Sequence, residues 1–437
     1  MRILEWTILD EAARRAALAR PVESRDAALL ERVAGIVQSV RTGGDAALRR
    51  LGAELDHVEL KSFGVTEAEF ARAEAELEVA DIDAMETAIR NVRAFHAAQL
   101  PQSMRLETQP GVVCERLIRP IAAVGLYVPA GNAPLPSTAI MLAIPALLAE
   151  CPRRAMCTPP RRDGSANAAV LVAARRCGIG EVYKIGGAQA IAAMAYGTES
   201  VPKVAKLFGP GNAFVTAAKQ LVAGDADGAA LDMPAGPSEV MVIADDSAAA
   251  EFVAADLLAQ AEHDRNAQAL LVTTSAQLAQ QVALAVARQV SVLGRRTILE
   301  QSTLAMRLIV VPDLDTAVEV AERHAPEHLI IETRAPRELL PRITNAGSVF
   351  LGQWSPEPMG DYCSGTNHVL PTYGHARSYS GLSVLDFVRR MTVQELSEDG
   401  LRALGPVASR LARLEGLDAH AAAVDRRLAR LGAVNTP

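Results

Sequence analysis

Between Val124 and Gly224 the chain alternates short apolar runs with stretches of helical spacing: VGLYVP, TAIMLAIPALLA, RAMCTPP, ANAAVLVAARRC, EVYKIGG, AQAIAAMAYG, KVAKLFGPG and NAFVTAAKQLVAG. This order constrains the fold more than any other feature, because strands joined through helices run parallel and carry their crossovers on the faces of the sheet. A second run starts at SEVMVIAD and continues through AAEFVAADLLAQAEH, QALLVTTS, RLIVVP and DTAVEVAERH to HLIIET. Before the first run, DAALLERVAGIVQSV and AMETAIRNVRAF show three-to-four spacing, and after Gly381 the segments LSVLDFVRRM, LRALGPVASRLARLEG and DAHAAAVDRRLARLG again read as helices. The fold class is therefore α/β, with two parallel-sheet units and helical terminal segments. At 437 residues the chain exceeds what one core usually organises.

Composition excludes several roles. Only 4% of residues are aromatic, which argues for helices on sheets over an aromatic-rich sandwich. A net charge of -7 and scattered Arg pairs give no basic stripe for nucleic acid. The most apolar stretch, STAIMLAIPALLAEC, is too short for a bilayer and holds an interior proline, so no membrane partner is expected. Glu5 and Asp10 interrupt what a secretory signal would need, which makes a cytoplasmic protein the expectation. The five cysteines show no CxxC spacing, so neither a disulfide framework nor a cysteine zinc knuckle is suggested.

Six of the eight histidines lie between His263 and His420, a skew that directs attention to that region. Gln260 and His263 in LLAQAEHD are three apart on a predicted helix and share a face, a spacing that suits one metal ion and equally an ordinary surface. Asp361 and His368 sit in the Gly-containing segment MGDYCSGTNHVLPT; a carboxylate with imidazoles suits Zn²⁺, and a polar turn is the plain alternative. Cys363 in the same segment has no neighbour that argues for a reactive thiolate. In ERHAPEHLIIET the adjacent Glu327 and His328 stand at the start of a predicted strand. An imidazole suits removal of a hydroxyl proton and a carboxylate suits activation of water, although an isolated Glu-His pair is common on surfaces. The G-x-G-x-x-G dinucleotide fingerprint is absent. In its place stand YVPAGNAP, KIGGAQ and FGPGN, Gly turns after strands that present N–H groups toward an anion and that any α/β fold also needs.

Taken together, VGLYVPAGNAPLPST, KIGGAQAIAAMAYGT, FGPGNAFVT, DMPAGPSE, QAEHD, APEHL, GDYCSGTNHVLPT and EGLDAHAAAV closely resemble the histidinol dehydrogenase family over essentially the whole chain. The resemblance implies two incomplete Rossmann-like domains with small helical terminal segments, in a homodimer with shared active sites. It implies one Zn²⁺ per subunit on Gln260, His263, Asp361 and His420, with His328 as general base and Glu327 as its acid/base neighbour. Substrate contacts would fall on Ser238, His368, Glu415, His328 and the metal ligands, and NAD contacts on Tyr127, Gln189 and Asn212. The implied activity is oxidation of L-histidinol through L-histidinal to L-histidine with two NAD⁺, the last step of histidine biosynthesis. The corresponding domains are a segment 1–24, a discontinuous unit 25–122 and 235–380 carrying zinc and catalytic residues, an NAD-binding unit 123–234, and a helical tail 381–437 that contributes to a partner's site. Two alternatives stay open: the same scaffold acting on another alcohol, and a zinc hydrolase in which Glu327 activates a metal-bound water.

Overall fold

The computed structural model describes residues 1–20, 27–130, 133–234 and 236–433. The expected boundary at 24/25, Gly131 and Asn132 of YVPAGNAP, and Ala235 of DMPAGPSE and of the boundary 234/235 lie outside the described residues. Strand β1 (Arg2–Glu5) comes first, and β2 (Met104–Gln109) and β3 (Val112–Pro120) form a hairpin. Then follow β4 (Ala123–Tyr127), β5 (Arg153–Thr158), β6 (Glu181–Lys184), β7 (Lys206–Phe208) and β8 (Ala230–Leu231). A further set comprises β9 (Glu239–Ala244), β10 (Gln268–Thr273), β11 (Arg307–Val310), β12 (His328–Glu332) and β13 (Ser348–Leu351), and β14 (Val388–Leu396) is last.

Two compact units result: Met1–Gln99 with Ile121–Phe387, and Leu100–Pro120 with Val388–Pro437. The first unit holds two parallel sheets, of order β6-β5-β4-β7-β8 and β1-β11-β10-β9-β12-β13. Each has the centre-out winding of a nucleotide-binding sheet, with its first two crossovers running one way from β4 or β9 and the next two the other way. Both lack the sixth strand of a complete Rossmann order; β1 occupies an outer edge of the larger sheet instead. The expected two incomplete Rossmann-like sheets are thus observed.

Burial explains the composition of the strands. EVMVIA in β9, QALLVT in β10 and HLIIE in β12 are buried throughout, since helices cover both faces and no polar alternation is needed. The two faces of this sheet feed separate clusters, one with Val240, Val242, Leu257 and Leu271, the other with Met241, Ile243, Leu270 and Leu329. The apolar stretch after Leu135 is the helix Pro136–Leu148, which starts on proline, where no N–H is needed, and is buried along most of its length.

Three boundaries differ from the sequence reading. The helix Ala27–Leu51 was expected with residues 235–380, but its stripe of Val33, Ile36, Val37, Val40, Leu48 and Leu51 packs in one cluster with Ala188, Ile191, Val215 and Ala218 of the five-stranded unit. At about 1.5–3 kcal/mol for each fully buried aliphatic side chain, that stripe decides which sheet the helix covers. Residues 2–5, expected in a separate segment, pair with Arg307–Val310. The tail expected to be helical from Gly381 begins as a 3-10 turn (Val384–Phe387) and the strand β14, whose nine residues pair antiparallel with β3.

In the second unit the sheet β14-β3-β2 is antiparallel and accompanies a helical hairpin, Glu398–Leu414 and Asp418–Ala433. Its helices are tied by Ser409 Oγ donating to Asp425 Oδ1 at 2.6 Å. Among the described residues no helix is long and apolar enough to cross a membrane.

Candidate active site

Glu327 and His328 mark the entry to β12. The helix Leu314–His324 ends on Ala325, whose left-handed backbone (φ 53) and the following Pro326 turn the chain into the strand. Both side chains are buried. Both are held by one residue of the neighbouring strand: the Glu239 N–H donates to Glu327 Oε2 at 2.8 Å, and His328 Nδ1 lies 3.0 Å from the Glu239 carbonyl. A carbonyl only accepts, so Nδ1 carries the hydrogen and Nε2 of the neutral ring keeps its lone pair. Nε2 is buried with no hydrogen-bond partner; Asp361 Oδ1, at 3.5 Å, stands at the outer limit of such a bond and makes none of good geometry.

A second wall comes from two helices. Gln260 lies in the last turn of Ala250–Ala261, fully buried, and in the orientation its surroundings require its amide nitrogen donates to Glu357 Oε1 at 2.7 Å. Glu357 and Asp361 are four apart on the short helix Glu357–Tyr362 and so share a face. Glu357 Oε1 is 3.8 Å from His328 Nδ1. His368 is fixed at both nitrogens: Nδ1 lies 2.8 Å from the Asp361 carbonyl, and Nε2 lies 3.0 Å from Thr138 Oγ1.

Charge follows this packing. Burial pushes the Glu327 carboxyl up to about 8 against the opposing pull of His328 and the Glu239 N–H. Burial likewise raises Glu357 to about 8. For His328 burial acts downward, but Glu357, Glu327 and Asp361 outweigh it and raise the imidazole well above its usual range. Asp361 is held low: burial opposes ionisation, and the interaction with His328 and the charges of His368 and His263 overcome it. Burial lowers His263, with only Asp361 pulling the other way. An ionised Asp361 beside a neutral His263 is the protonation pattern a metal site needs.

The residues fit a small divalent cation on that ground and through their donors, which are oxygen and nitrogen without a thiolate. Gln260 donates to Glu357, and His263 lies within reach of the Asp361 charge. The donor atoms of His328, Glu357 and Asp361 also lie within 4.8 Å of one another. Of these Glu357 was missed in the sequence; its four-residue spacing from Asp361 was the signal. His420, on Asp418–Ala433, and Glu415, at the end of Glu398–Leu414, are exposed residues of the second unit. Ser238 directly precedes β9, its carbonyl accepting from the Gln268 N–H. Cys363 ends the helix Glu357–Tyr362 and its carbonyl accepts from Asn91, a backbone role.

Tyr127, Gln189 and Asn212, which the resemblance implies for dinucleotide binding, lie in the strands and helices around the five-stranded sheet. Tyr127 ends β4, and Gly209–Asn212 follows β7, the two strands between which the winding reverses; clefts outside carboxyl ends at that point hold ligands in open α/β sheets. The Tyr127 hydroxyl accepts from the Gly187 N–H at 2.9 Å, and Gly187 has φ +62. Gly209, at φ +116, approaches so closely that a Cβ would stand 2.1 Å from the Tyr127 carbonyl oxygen. Gln189 is buried and donates to Asp56 at 3.1 Å. Asn212 caps the helix Ala213–Ala223 through Phe214 and Val215. By contrast Glu327 and His328 lie at the amino ends of their sheet. The Thr138–His368 contact and the bond from Asn367 to the Met141 carbonyl join their neighbourhood to the helix that follows β4.

Comparison with known proteins gives concordant results. The family model described as histidinol dehydrogenase matches residues 19–428. The histidinol dehydrogenase of Xanthomonas oryzae pv. oryzae is 55% identical over 428 residues, 98% of this chain and 99% of the relative. That of Vibrio vulnificus (strain CMCP6) is 51% identical over 433 residues, 99% and 100% of the two chains. The crystal structure of histidinol dehydrogenase from Elizabethkingia anophelis superposes with a TM-score of 0.95 at 42% identity, covering 99% of each chain.

Proposed function

Because the chain belongs to the histidinol dehydrogenase family and is an oxidoreductase of that kind, we propose that it oxidises L-histidinol through the aldehyde to L-histidine with two NAD⁺ and one Zn²⁺ per subunit. The observation that carries this reading is the buried Glu327–His328 pair fixed by the main chain of one residue, with His328 Nε2 facing Asp361 Oδ1 at 3.5 Å and making no hydrogen bond of good geometry. Gln260, His263 and Asp361 with the partner subunit's His420 would hold the metal; Tyr127, Gln189 and Asn212 would contact the dinucleotide. When bound, zinc orients an imidazole-bearing amino alcohol and polarises its oxygen, and NAD⁺ accepts hydride.

The protein's own part is proton transfer. In its neutral form, which the surrounding carboxylates make the minor one until the Nε2 proton is lost, His328 takes the hydroxyl proton at Nε2 while Nδ1–H stays on the Glu239 carbonyl, and the same carboxylates balance the charge gained. Ionised Glu327 then takes a proton from the water that hydrates the aldehyde. Once its first proton has passed to solvent, His328 removes the hydrate's proton in the second oxidation, and Glu327 releases its own to solvent to complete the cycle. Ser238, His368 and the partner subunit's Glu415 position the substrate, the last through its ammonium group. Purified protein with histidinol and NAD⁺ should yield NADH and histidine in a two-to-one ratio. Turnover of histidinol without a nicotinamide, or NADH from other alcohols and none from histidinol, would overturn this reading.

A further inference from the structure

Glu239 contributes its main chain to the acid/base pair, but its own carboxylate is fully buried at the head of β9. That charge is met by Arg20, from the far end of the sequence: Nε donates to Oε1 at 2.5 Å and Nη2 to Oε2 at 2.8 Å, a planar two-point pair. The Tyr373 N–H adds a third bond, 2.8 Å to Oε1. Arg20 Nη2 also donates to the carbonyl of His324 at 2.8 Å, in the corner that leads through Ala325 and Pro326 into Glu327. A single guanidinium thus ties together the two chain segments that enter β9 and β12, the segments from which Glu327 and His328 are hung.

We propose that Arg20 is a positioning residue for the reaction, holding the Glu239 main chain and the 324–326 corner in the one register that aims His328 Nε2 and the Glu327 carboxylate. The inference rests on the acid/base assignment above. A lysine retains the charge and loses the fork, so it cannot hold both segments at once. Displacements of an ångström in a reacting group cost up to about 100-fold in rate.

The test is a steady-state comparison of the zinc-loaded enzyme with Arg20→Lys, Arg20→Ala and Glu239→Gln, each alone and in a His328→Asn background. Expected are losses of roughly 10- to 100-fold in kcat in each single variant, with KM for histidinol and zinc content near wild type. Guanidinium ion should restore part of the rate of Arg20→Ala and none of that of His328→Asn. The decisive readout is non-additivity in the first oxidation: once His328 is Asn, that proton transfer has no base left to misaim, so Arg20→Lys should slow the first NADH formed by that variant no further. Rates within about twofold of wild type in Arg20→Lys, or first-oxidation losses that multiply in the His328→Asn background, would overturn the proposal. If Arg20→Ala does not fold, Arg20→Lys and Glu239→Gln carry the test, since one keeps the cation and the other the shape. A His328→Asn enzyme with wild-type turnover would instead sink the acid/base assignment, and that outcome is read from a different variant.

Discussion

The imidazole of His328 is asymmetric by construction, one nitrogen tied to a carbonyl and the other buried beside the Asp361 carboxylate at 3.5 Å. Asparagine there keeps a polar side chain of smaller reach and removes the lone pair, so His328→Asn should lower turnover by about 10²- to 10⁴-fold in both oxidations, with zinc content maintained; stopped-flow NADH formation and elemental analysis check this. Glu327 acts as a base only when ionised, and burial places its titration at about 8. The water-activating step should therefore accelerate as pH rises through that value, measured with the aldehyde as substrate, and Glu327→Gln should abolish the dependence. The same shift has the opposite sign for stability. A carboxyl whose folded pKa stands above its ordinary 4.5 favours the fold at low pH, and the advantage is lost as pH climbs toward 8. Glu327→Gln should accordingly melt above the wild type at alkaline pH, by calorimetry. At this scale the sequence exposed the Glu-His pair and the Gln260–His263 and Asp361–His368 spacings, but nothing in it distinguishes Glu239 or Arg20. Their part is played by a main chain and by an ion pair spanning more than half the chain, neither of which leaves a motif.

Elements position the proposed dinucleotide half of the site. The turn after β7 is gripped at Gly209 from both sides: its N–H donates to Asp232 at 2.8 Å, its carbonyl accepts from Lys219 Nζ at 2.9 Å, and Lys219 and Asp232 form a buried ion pair. Lys219→Met strands the Asp232 charge, at a cost of about 3–5 kcal/mol, and should weaken NAD⁺ binding more than histidinol binding, a split that titration calorimetry resolves. The helix Val79–Ala97 ends near His96, buried, its Nε2 3.4 Å from Asn367 Nδ2 and its Nδ1 without a partner. Burial depresses His96 to about 4, below its ordinary 6.5. The unfolded chain then binds the extra proton, so stability falls as pH drops from 6.5 toward 4, and His96→Gln should flatten that part of a denaturation-midpoint profile. The strands at the sheet centres were legible because VGLYVP, EVMVIAD and HLIIET are continuous apolar runs. The edges were not: RILE in β1 has only four residues with a charge at each end, and VRRMTVQEL in β14 becomes a strand only because β3 offers nine partners. Likewise, the stripe on Ala27–Leu51 announces a buried face without naming which sheet covers it.

At the scale of the whole molecule, Gln260 and His263 belong to one compact unit, and Glu415 and His420 to the other. If sites are shared within a symmetric dimer, mixing Gln260→Ala with His420→Ala chains, each inactive alone, creates heterodimers with one doubly damaged and one intact site. Random reassortment should restore roughly a quarter of wild-type activity; no recovery, after native mass spectrometry has shown heterodimers, would mean that each tail serves its own chain. The pairing of Arg2–Glu5 with Arg307–Val310 carries a consequence for synthesis on the ribosome. The five-stranded sheet lies within Ala123–Leu231, and the helix that packs on it, Ala27–Leu51, has already been made, so that half is able to close early. The first strand waits for a mate roughly three hundred residues downstream, an interval of about 15–60 s at usual elongation speeds. Throughout that interval Arg2–Glu5 of a nascent chain has no mate, so polysomes rather than finished enzyme are where strand exchange between neighbouring copies has its opportunity.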